Sequence, residues 1–103
     1  MASKKPITTA VVGLGRSGWS IHVKQLRDDD RFKIVSVFDL QPDRLQQASD
    51  ELQCDTYDDF KKMLKATRAE LIVIASPSTL HAPQTIAALK AGKHVVVEKP
   101  MET

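Results

Sequence analysis

The spacing of three glycines limits what this chain can fold into more than any other feature of its sequence. Gly13, Gly15 and Gly18 form a G-x-G-x-x-G pattern directly after the apolar run 7–12, and a helical pattern follows them. In such a turn the first glycine lets the chain bend sharply, the second lets the backbone approach a pyrophosphate, and the third lets the helix lie close to the strand. The pattern therefore predicts a strand, a phosphate-binding turn and a helix, in that order.

An acidic residue in a suitable position supports this interpretation. Asp39 follows a second strand-like run, 32–38, roughly 20 residues after Gly18, where the motif places the acid that binds a ribose hydroxyl. The alternative is that the glycines only form a tight connection between a strand and a helix. We favour nucleotide binding because the strand, the glycines, the helix and the acid occur together.

Composition excludes several classes of function. The 103 residues allow one domain, residues 1–103, and 42% hydrophobic with 27% charged residues is typical of a globular protein. A net charge of +2 is too small to predict binding of nucleic acid. No apolar run approaches the roughly 20 residues of a membrane span, and the N-terminus lacks the apolar core of a signal peptide, so we expect no membrane association and a cytoplasmic location.

The cysteine and the histidines give no metal-binding pattern. The single cysteine, Cys54, cannot form an internal disulfide and has no obvious partner for metal binding or nucleophilic catalysis, so we expect a buried or half-buried thiol. His22, His81 and His94 have no metal-ligand spacing with Cys54 or with nearby acids. The sequence therefore predicts no metal site.

Apolar runs and helical patterns alternate along the rest of the chain. Runs typical of buried parallel strands lie at 7–12, 32–38, 54–57, 70–75 and 94–97. Helical patterns cover about 17–27 and 81–91 and also begin near 42 and 58. In the last helix we expect Ile86, Ala87 and Leu89 on or near the buried side. The alternation predicts a doubly wound α/β fold, a parallel sheet with right-handed crossovers.

The segments with potential chemistry all follow strands. They are the glycine turn 13–18, Asp39, the loop 76–79 and the segment 98–100. Because the carboxyl ends of parallel strands share one edge of the sheet, we expect these segments to converge on a crevice there.

These segments together resemble a known family. The glycine turn, Asp39, the S-P-S-T-L-H loop at 76–81 and the A-G-K-H-V-V-V-E-K-P segment at 91–100 are similar to the N-terminal domain of the Gfo/Idh/MocA oxidoreductases, the glucose-fructose oxidoreductase and inositol dehydrogenase family. The resemblance covers almost the whole chain, and E-K-P after A-G-K-H-V is its most specific part. It implies a Rossmann-type domain that binds a nicotinamide dinucleotide, with a second domain supplying most of a sugar or polyol site.

The resemblance also implies roles for particular residues. Those of the pyrophosphate turn are Gly13, Gly15, Arg16, Ser17 and Gly18. Those that hold the adenosine ribose or border the cofactor are Asp39, Ser76, Pro77, Ser78 and His81. Glu98 and Lys99 would stand near the nicotinamide and the substrate.

Lys99 is the expected catalytic residue. Its ammonium, beside the nicotinamide, would hydrogen-bond the substrate oxygen that gains or loses a proton as hydride moves. The alternative is a surface lysine before a proline. Glu98 would orient Lys99 or the nicotinamide, or be a solvated acid, and His81 would contact the ligand or cap the start of the last helix.

Asp39 predicts NAD rather than NADP as the preferred cofactor. Its carboxylate would accept hydrogen bonds from ribose hydroxyls but repel a 2′-phosphate, and no basic residue follows it directly. The nearby Arg44 is close enough to weaken this preference, but we favour its interpretation as an exposed helix residue.

The chain departs from the family pattern where it stops, at Thr103, shortly after E-K-P. We therefore expect a fragment of a longer oxidoreductase, without the sixth strand and the second domain that holds a small-molecule substrate. Its strand at 95–97 would leave an open apolar edge that favours a homo-oligomer. Two other functions stay open: a nucleotide-binding or sensor module without turnover, and an S-adenosylmethionine methyltransferase, against which Gly18 and the E-K-P ending speak.

Overall fold

A computed structural model describes residues 5–15, 18–76 and 78–97 of the chain, and of Gly18, Ser20 and Ser78 it gives only the helical assignment. The described residues form a five-stranded parallel sheet with the strand order β3-β2-β1-β4-β5. Its strands are β1 (Ile7–Val12), β2 (Phe32–Phe38), β3 (Asp55–Tyr57), β4 (Leu71–Ile74) and β5 (His94–Val97). The predicted doubly wound α/β fold is confirmed, and β1 is its central strand.

The strand boundaries follow the apolar runs closely. β1, β2 and β5 have the predicted bounds, β3 begins one residue later than predicted, and β4 is one residue shorter at each end. Glu70 and Ala75, which flank β4, still donate their N–H groups to the carbonyls of β1 residues Thr8 and Val12, at 2.8 Å each. The hydrogen-bonded ladder between the two central strands therefore extends past the ends of β4.

The sheet has a hydrophobic core on each face. Alternate residues of β1 contribute to opposite cores, Ala10 and Val12 to one and Val11 to the other, and all three are fully buried. This arrangement explains why the β1 sequence is continuously apolar rather than alternating. Met63 and Ala88 complete the first core, on helices described below, and the second is completed by Val23, Ala48 and partly buried neighbours.

A β-bulge changes the alternation of side chains along β2. Thr9 of β1 pairs with Ile34, but the next residue, Ala10, pairs with Ser36, so Val35 is an extra residue in β2. As a result Val35 packs in the first core, together with Phe38 three positions later. The bulge thus sets the direction in which the end of β2 presents its side chains.

Helices cover both faces of the sheet. They are a π-helical segment (Gly18–Val23), α1 (Lys24–Arg27), α2 (Pro42–Leu52), α3 (Phe60–Ala66) and α4 (Ser78–Lys90). The helix predicted over about 17–27 is therefore present from Gly18 to Arg27, but only its last turn is α-helical, which the sequence did not predict. Residues 19–23 include Trp19, Ile21 and Val23, types that lower α-helix propensity, and π-helical turns are frequent at functional sites. No helix in the described ranges is long and apolar enough to cross a membrane.

The predicted inner face of α4 is wrong for Ile86 and Leu89, although Ala87 is partly buried. Ile86 and Leu89 are 54% and 57% exposed, whereas Gln84 and Ala88, four residues apart on one face, are buried. The apolar residues of α4 lie on all sides of the helix, so their periodicity alone does not define the face that contacts the sheet. A polar side chain, Gln84, occupies the inner face because it has a buried hydrogen-bond partner.

Candidate functional site

Three segments that follow strands meet at the carboxyl edge of the sheet. Val12 pairs with Phe38 of β2 on one side and with Ile74 of β4 on the other. The N–H of Gly13 donates to the Phe38 carbonyl at 2.8 Å. The chain order runs from β1 outward through β2 and β3, then returns to β4 on the other side of β1. The edge between β1 and β4 is therefore the switch point at which open α/β sheets bind ligands.

The fold itself requires glycine at position 13. Its φ is +93°, and a Cβ at this position would lie 2.8 Å from the backbone nitrogen of Ser76. Backbone atoms cannot move aside as a flexible side chain could. The glycine therefore permits both the turn after β1 and the close approach of the segment that follows β4.

Gly15 is different, because the protein leaves room for a side chain there. The nearest atom to a Cβ at this position would be Nη1 of Arg44 at 3.7 Å, an ordinary van der Waals distance. Nothing in the described part of the chain excludes an alanine at this position. The open space over the backbone fits the approach of a ligand such as a pyrophosphate.

Asp39 connects the ends of β1 and β2. It is only 5% exposed, and its Oδ2 accepts a 2.7 Å hydrogen bond from the N–H of Leu14, between the two glycines. Its Oδ1 accepts a 2.8 Å bond from the N–H of Gln41. A carboxylate has about four acceptor positions, so this side chain is fixed by the backbone and still able to accept further hydrogen bonds.

Arg44 is exposed, as predicted, but it also contacts the site. Its Nη1 lies 3.5 Å from Oδ2 of Asp39, and α2 begins only two residues earlier, at Pro42. The sequence shows that Arg44 is near Asp39 but does not predict this ion pair, because the path of residues 39–44 decides whether the two side chains meet.

The loop after β4 is held by hydrogen bonds from α4. The hydroxyl of Ser76 donates to Oε1 of Gln84, and Nε2 of His81 lies 2.5 Å from the Ser76 carbonyl oxygen. Since a carbonyl only accepts, His81 carries its proton on Nε2 in this contact. His81 thus binds the backbone of the loop from within α4, which begins three residues earlier than predicted, at Ser78. Sequence reasoning missed Gln84, although a glutamine on an otherwise apolar helix face is the signal that could have identified it.

The remaining predicted site residues fall outside the described part. Arg16, Ser17, Pro77, Glu98 and Lys99 are not described, and of Gly18 and Ser78 only the helical assignment is given. Along the chain, Glu98 and Lys99 directly follow β5, and β5 is parallel to β4.

The described residues include Cys54 and most of the side chains that could bind a metal ion. Cys54 is half-buried, as predicted, and burial raises the pKa of its thiol to about 11. The thiol is therefore protonated at neutral pH and a poor nucleophile. No three His, Cys, Asp or Glu side chains in the described ranges are close enough together to hold a metal ion.

A cleft of about 240 Å³ lies beside the helical segment that follows the glycine turn. It is lined by Trp19, Val23, Lys24 and Arg27. None of the predicted site residues lines it, so we do not assign the cofactor to it.

The fold and the glycine turn define a class, the dinucleotide-binding Rossmann domains. A model of an oxidoreductase family with an NAD-binding Rossmann fold, GFO_IDH_MocA, matches residues 7–103. The chain belongs to the Gfo/Idh/MocA oxidoreductase family, which confirms the resemblance seen in the sequence.

Similar proteins include dehydrogenases of cyclic polyols. The myo-inositol 2-dehydrogenase of Thermotoga maritima is 32% identical over 92 residues, which are 88% of this chain and 27% of that protein. The NADP(+)-linked scyllo-inositol 2-dehydrogenase of Bacillus subtilis is 30% identical over 92% of this chain and 26% of its own length. The crystal structure of Lactobacillus casei scyllo-inositol dehydrogenase with bound NAD(H) and scyllo-inositol is 36% identical, with a TM-score of 0.88 over 93% of this chain and 28% of that one. The chain thus spans just over a quarter of the length of these proteins.

Proposed function

We propose that this chain binds a nicotinamide dinucleotide at the carboxyl edge of β1, β2 and β4. The observation that carries the proposal is the hydrogen bond between Asp39 and the N–H of Leu14, which holds an acid beside the glycine turn. An acid for the ribose and an open backbone for the pyrophosphate must be neighbours in such a site, since the two groups are neighbours in the ligand. Membership of the oxidoreductase family supports the same conclusion.

The proposed contacts extend along the strand ends. Asp39 accepts hydrogen bonds from the adenosine ribose, and the backbone around Gly15 receives the pyrophosphate. The remaining proposed pyrophosphate contacts come from Gly13, Arg16, Ser17 and Gly18. The border of the cofactor is proposed to comprise Ser76, Pro77, Ser78, His81 and Glu98.

We further propose that the chain is the cofactor domain of a longer enzyme acting on a sugar, a polyol or a related small hydroxy compound. The nicotinamide supplies the chemistry of hydride transfer. In this enzyme Lys99 hydrogen-bonds the reacting oxygen of the substrate and moves its proton. The names of the polyol dehydrogenases that this chain resembles support the substrate class.

The preference for NAD over NADP is part of the proposal. Asp39 is buried and carries its negative charge where the ribose would lie, so a 2′-phosphate there meets electrostatic repulsion. Similar proteins are linked to both cofactors, since one structure contains NAD(H) and one enzyme is NADP(+)-linked. Similarity to these proteins therefore does not decide the cofactor preference, and the proposal depends on Asp39 of this chain.

Calorimetric titration of the 103-residue chain with NADH and NADPH tests the proposal. We expect NADH to bind more tightly than NADPH, and Asp39→Asn to weaken NADH binding about 10-fold or more, because a charged hydrogen bond contributes about 1.5–3 kcal/mol. Asparagine keeps one oxygen acceptor near Leu14, so the variant disturbs the turn less than alanine. The control, Asp58→Asn, replaces an exposed aspartate outside the site and should leave binding unchanged. Failure of the unaltered chain to bind either dinucleotide would contradict the proposal.

A further inference from the structure

Two hydrogen bonds from α4 fix Ser76, the second residue after β4. The Ser76 hydroxyl donates to Oε1 of Gln84, and the Ser76 carbonyl accepts from Nε2 of His81. Ser76 and Gln84 are only 8% and 7% exposed. Residues 81 and 84 lie on the same side of the helix, since positions three apart are neighbours on its surface. One side of α4 therefore holds both the side chain and the main chain of Ser76.

Ser76 in turn lies against the glycine turn. A Cβ on Gly13 would be 2.8 Å from the backbone nitrogen of Ser76 and 2.9 Å from its Cα. The preceding residue, Ala75, donates its N–H to the carbonyl of Val12 at 2.8 Å. The position of Ser76 therefore limits the path of the turn proposed for the pyrophosphate, and Gln84 acts on that turn through Ser76.

Stability alone does not explain a glutamine on the inner face of α4. A buried amide loses its hydrogen bonds to water, so its burial costs free energy unless it finds a partner. The net gain from such a partner is small, and two apolar side chains of the same shape can be equally stable. A satisfied buried polar pair instead adds one fixed geometry, because few arrangements make the bond. The bond between Gln84 and Ser76 therefore fixes the segment after β4 more than it stabilises the fold.

We propose that Gln84 is a positioning residue for the bound dinucleotide. It holds Ser76, and through Ser76 the turn at Gly13, in the arrangement that receives the cofactor. Without this bond the folded chain also samples other positions of the segment, and its apparent affinity falls in proportion to the fraction that can bind. This inference rests on the proposed function.

Calorimetric titration of the 103-residue chain with NADH tests the role of Gln84. Gln84→Met keeps the length of the side chain but removes the amide, so we expect NADH to bind about 3- to 10-fold more weakly, the equivalent of one net hydrogen bond. Ser76→Ala breaks the same bond and should weaken binding by a similar factor. The variant with both substitutions should bind no more weakly than either single variant, because all three lack the same interaction.

Urea unfolding of these variants separates positioning from stability. Gln84→Met leaves the buried Ser76 hydroxyl without this partner and should lower the unfolding midpoint, whereas the double variant removes both partners and should recover most of the loss. Its affinity for NADH should nevertheless stay low. Normal NADH binding by the double variant would overturn the inference, and it would do so even where Gln84→Met alone does not fold.

Thr67→Val is the matched control. Thr67 is 8% exposed, and its hydroxyl shares a hydrogen bond with the buried hydroxyl of Ser36, so this substitution also deprives a buried hydroxyl of its partner. Thr67 precedes β4 and Ser76 follows it, which places the control at the opposite edge of the sheet. We expect a lower unfolding midpoint and an unchanged affinity for NADH. An equal loss of affinity in Thr67→Val would show that lower stability alone weakens binding, and would overturn the inference.

The same titrations distinguish this inference from the proposed function. If the unaltered chain binds NADH and Gln84→Met binds it equally well, the inference is overturned and the proposed function stands. If the unaltered chain binds neither NADH nor NADPH, both are overturned.

Discussion

Gly13 and Gly15 belong to one motif, but the structure explains the need for glycine differently at the two positions. Gly13 has a positive φ, and any Cβ there would collide with the Ser76 backbone, so the folded chain requires glycine. Gly15 has room for a Cβ and no positive φ that would need glycine. We propose that the bound cofactor is the reason for glycine at this second position.

Alanine substitutions should therefore separate folding from binding. We expect Gly13→Ala to lower the free energy of unfolding by more than about 1 kcal/mol, since the residue is strained and meets a fixed backbone. We expect Gly15→Ala to leave that free energy nearly unchanged and to weaken NADH binding. Urea unfolding and calorimetry measure the two effects. A Gly15→Ala chain that binds NADH normally would contradict the assignment of this glycine to the pyrophosphate.

Part of the site at this scale could be predicted from the sequence. The spacing of the glycines and the acid after β2 identify Gly13, Gly15 and Asp39, because these residue types have few other uses in such positions. The bonds from Leu14 and Gln41 to Asp39 could not be predicted. They depend on where the backbone places two N–H groups, which no periodicity in the sequence records.

At the scale of elements, a buried polar contact determines which face of α4 packs on the sheet. Its inner face carries Gln84 and Ala88, and Gln84 binds the Ser76 hydroxyl, so the helix and the loop after β4 form one hydrogen-bonded unit. An apolar helix has several faces that can pack on a sheet. The buried polar contact identifies the one that is used.

Two substitutions in α4 test this orientation. Gln84→Ala leaves the buried Ser76 hydroxyl without its partner and should lower the free energy of unfolding by about 1–3 kcal/mol. Leu89→Ala should change it by less than about 0.5 kcal/mol, because Leu89 is exposed. Urea unfolding of both variants provides the comparison. A cost of about 2–5 kcal/mol for Leu89→Ala would instead indicate a buried leucine and the orientation predicted from the sequence.

The bounds of the strands could be predicted better than the register in which they pair. β1, β2 and β5 have the predicted bounds because continuous apolar runs with turn residues on either side are typical of buried parallel strands. The bulge at Val35 was not predicted, since it arises from the pairing of β2 with β1. It determines how Phe38, and hence Asp39 after it, leaves the sheet.

At the scale of the whole molecule, β5 is one of the two edge strands of the sheet. It pairs with β4, and no strand in the described ranges covers its other edge. Val96 and Val97 on this strand are 48% and 38% exposed. We propose that copies of the 103-residue chain associate weakly along this edge, because an open apolar strand favours pairing with another chain.

Sedimentation equilibrium measures that association. We expect concentration-dependent dimers, weakened by Val96→Lys because a charge on an edge strand opposes pairing. Leu89→Lys adds the same charge at an exposed apolar residue of α4 and should leave the association unchanged. A monomer at all concentrations would refute the proposal.

The contact between Gly13 and Ser76 has a practical consequence for redesign. The two loops that flank the switch point lie so close that a Cβ added to Gly13 would come within 2.8 Å of the Ser76 backbone nitrogen, so neither loop can change shape independently. A cofactor loop grafted after β1 from another dinucleotide-binding protein will fit only if its path clears residues 75 and 76, or if the segment after β4 is transplanted with it. The unit of exchange in this fold is the pair of loops.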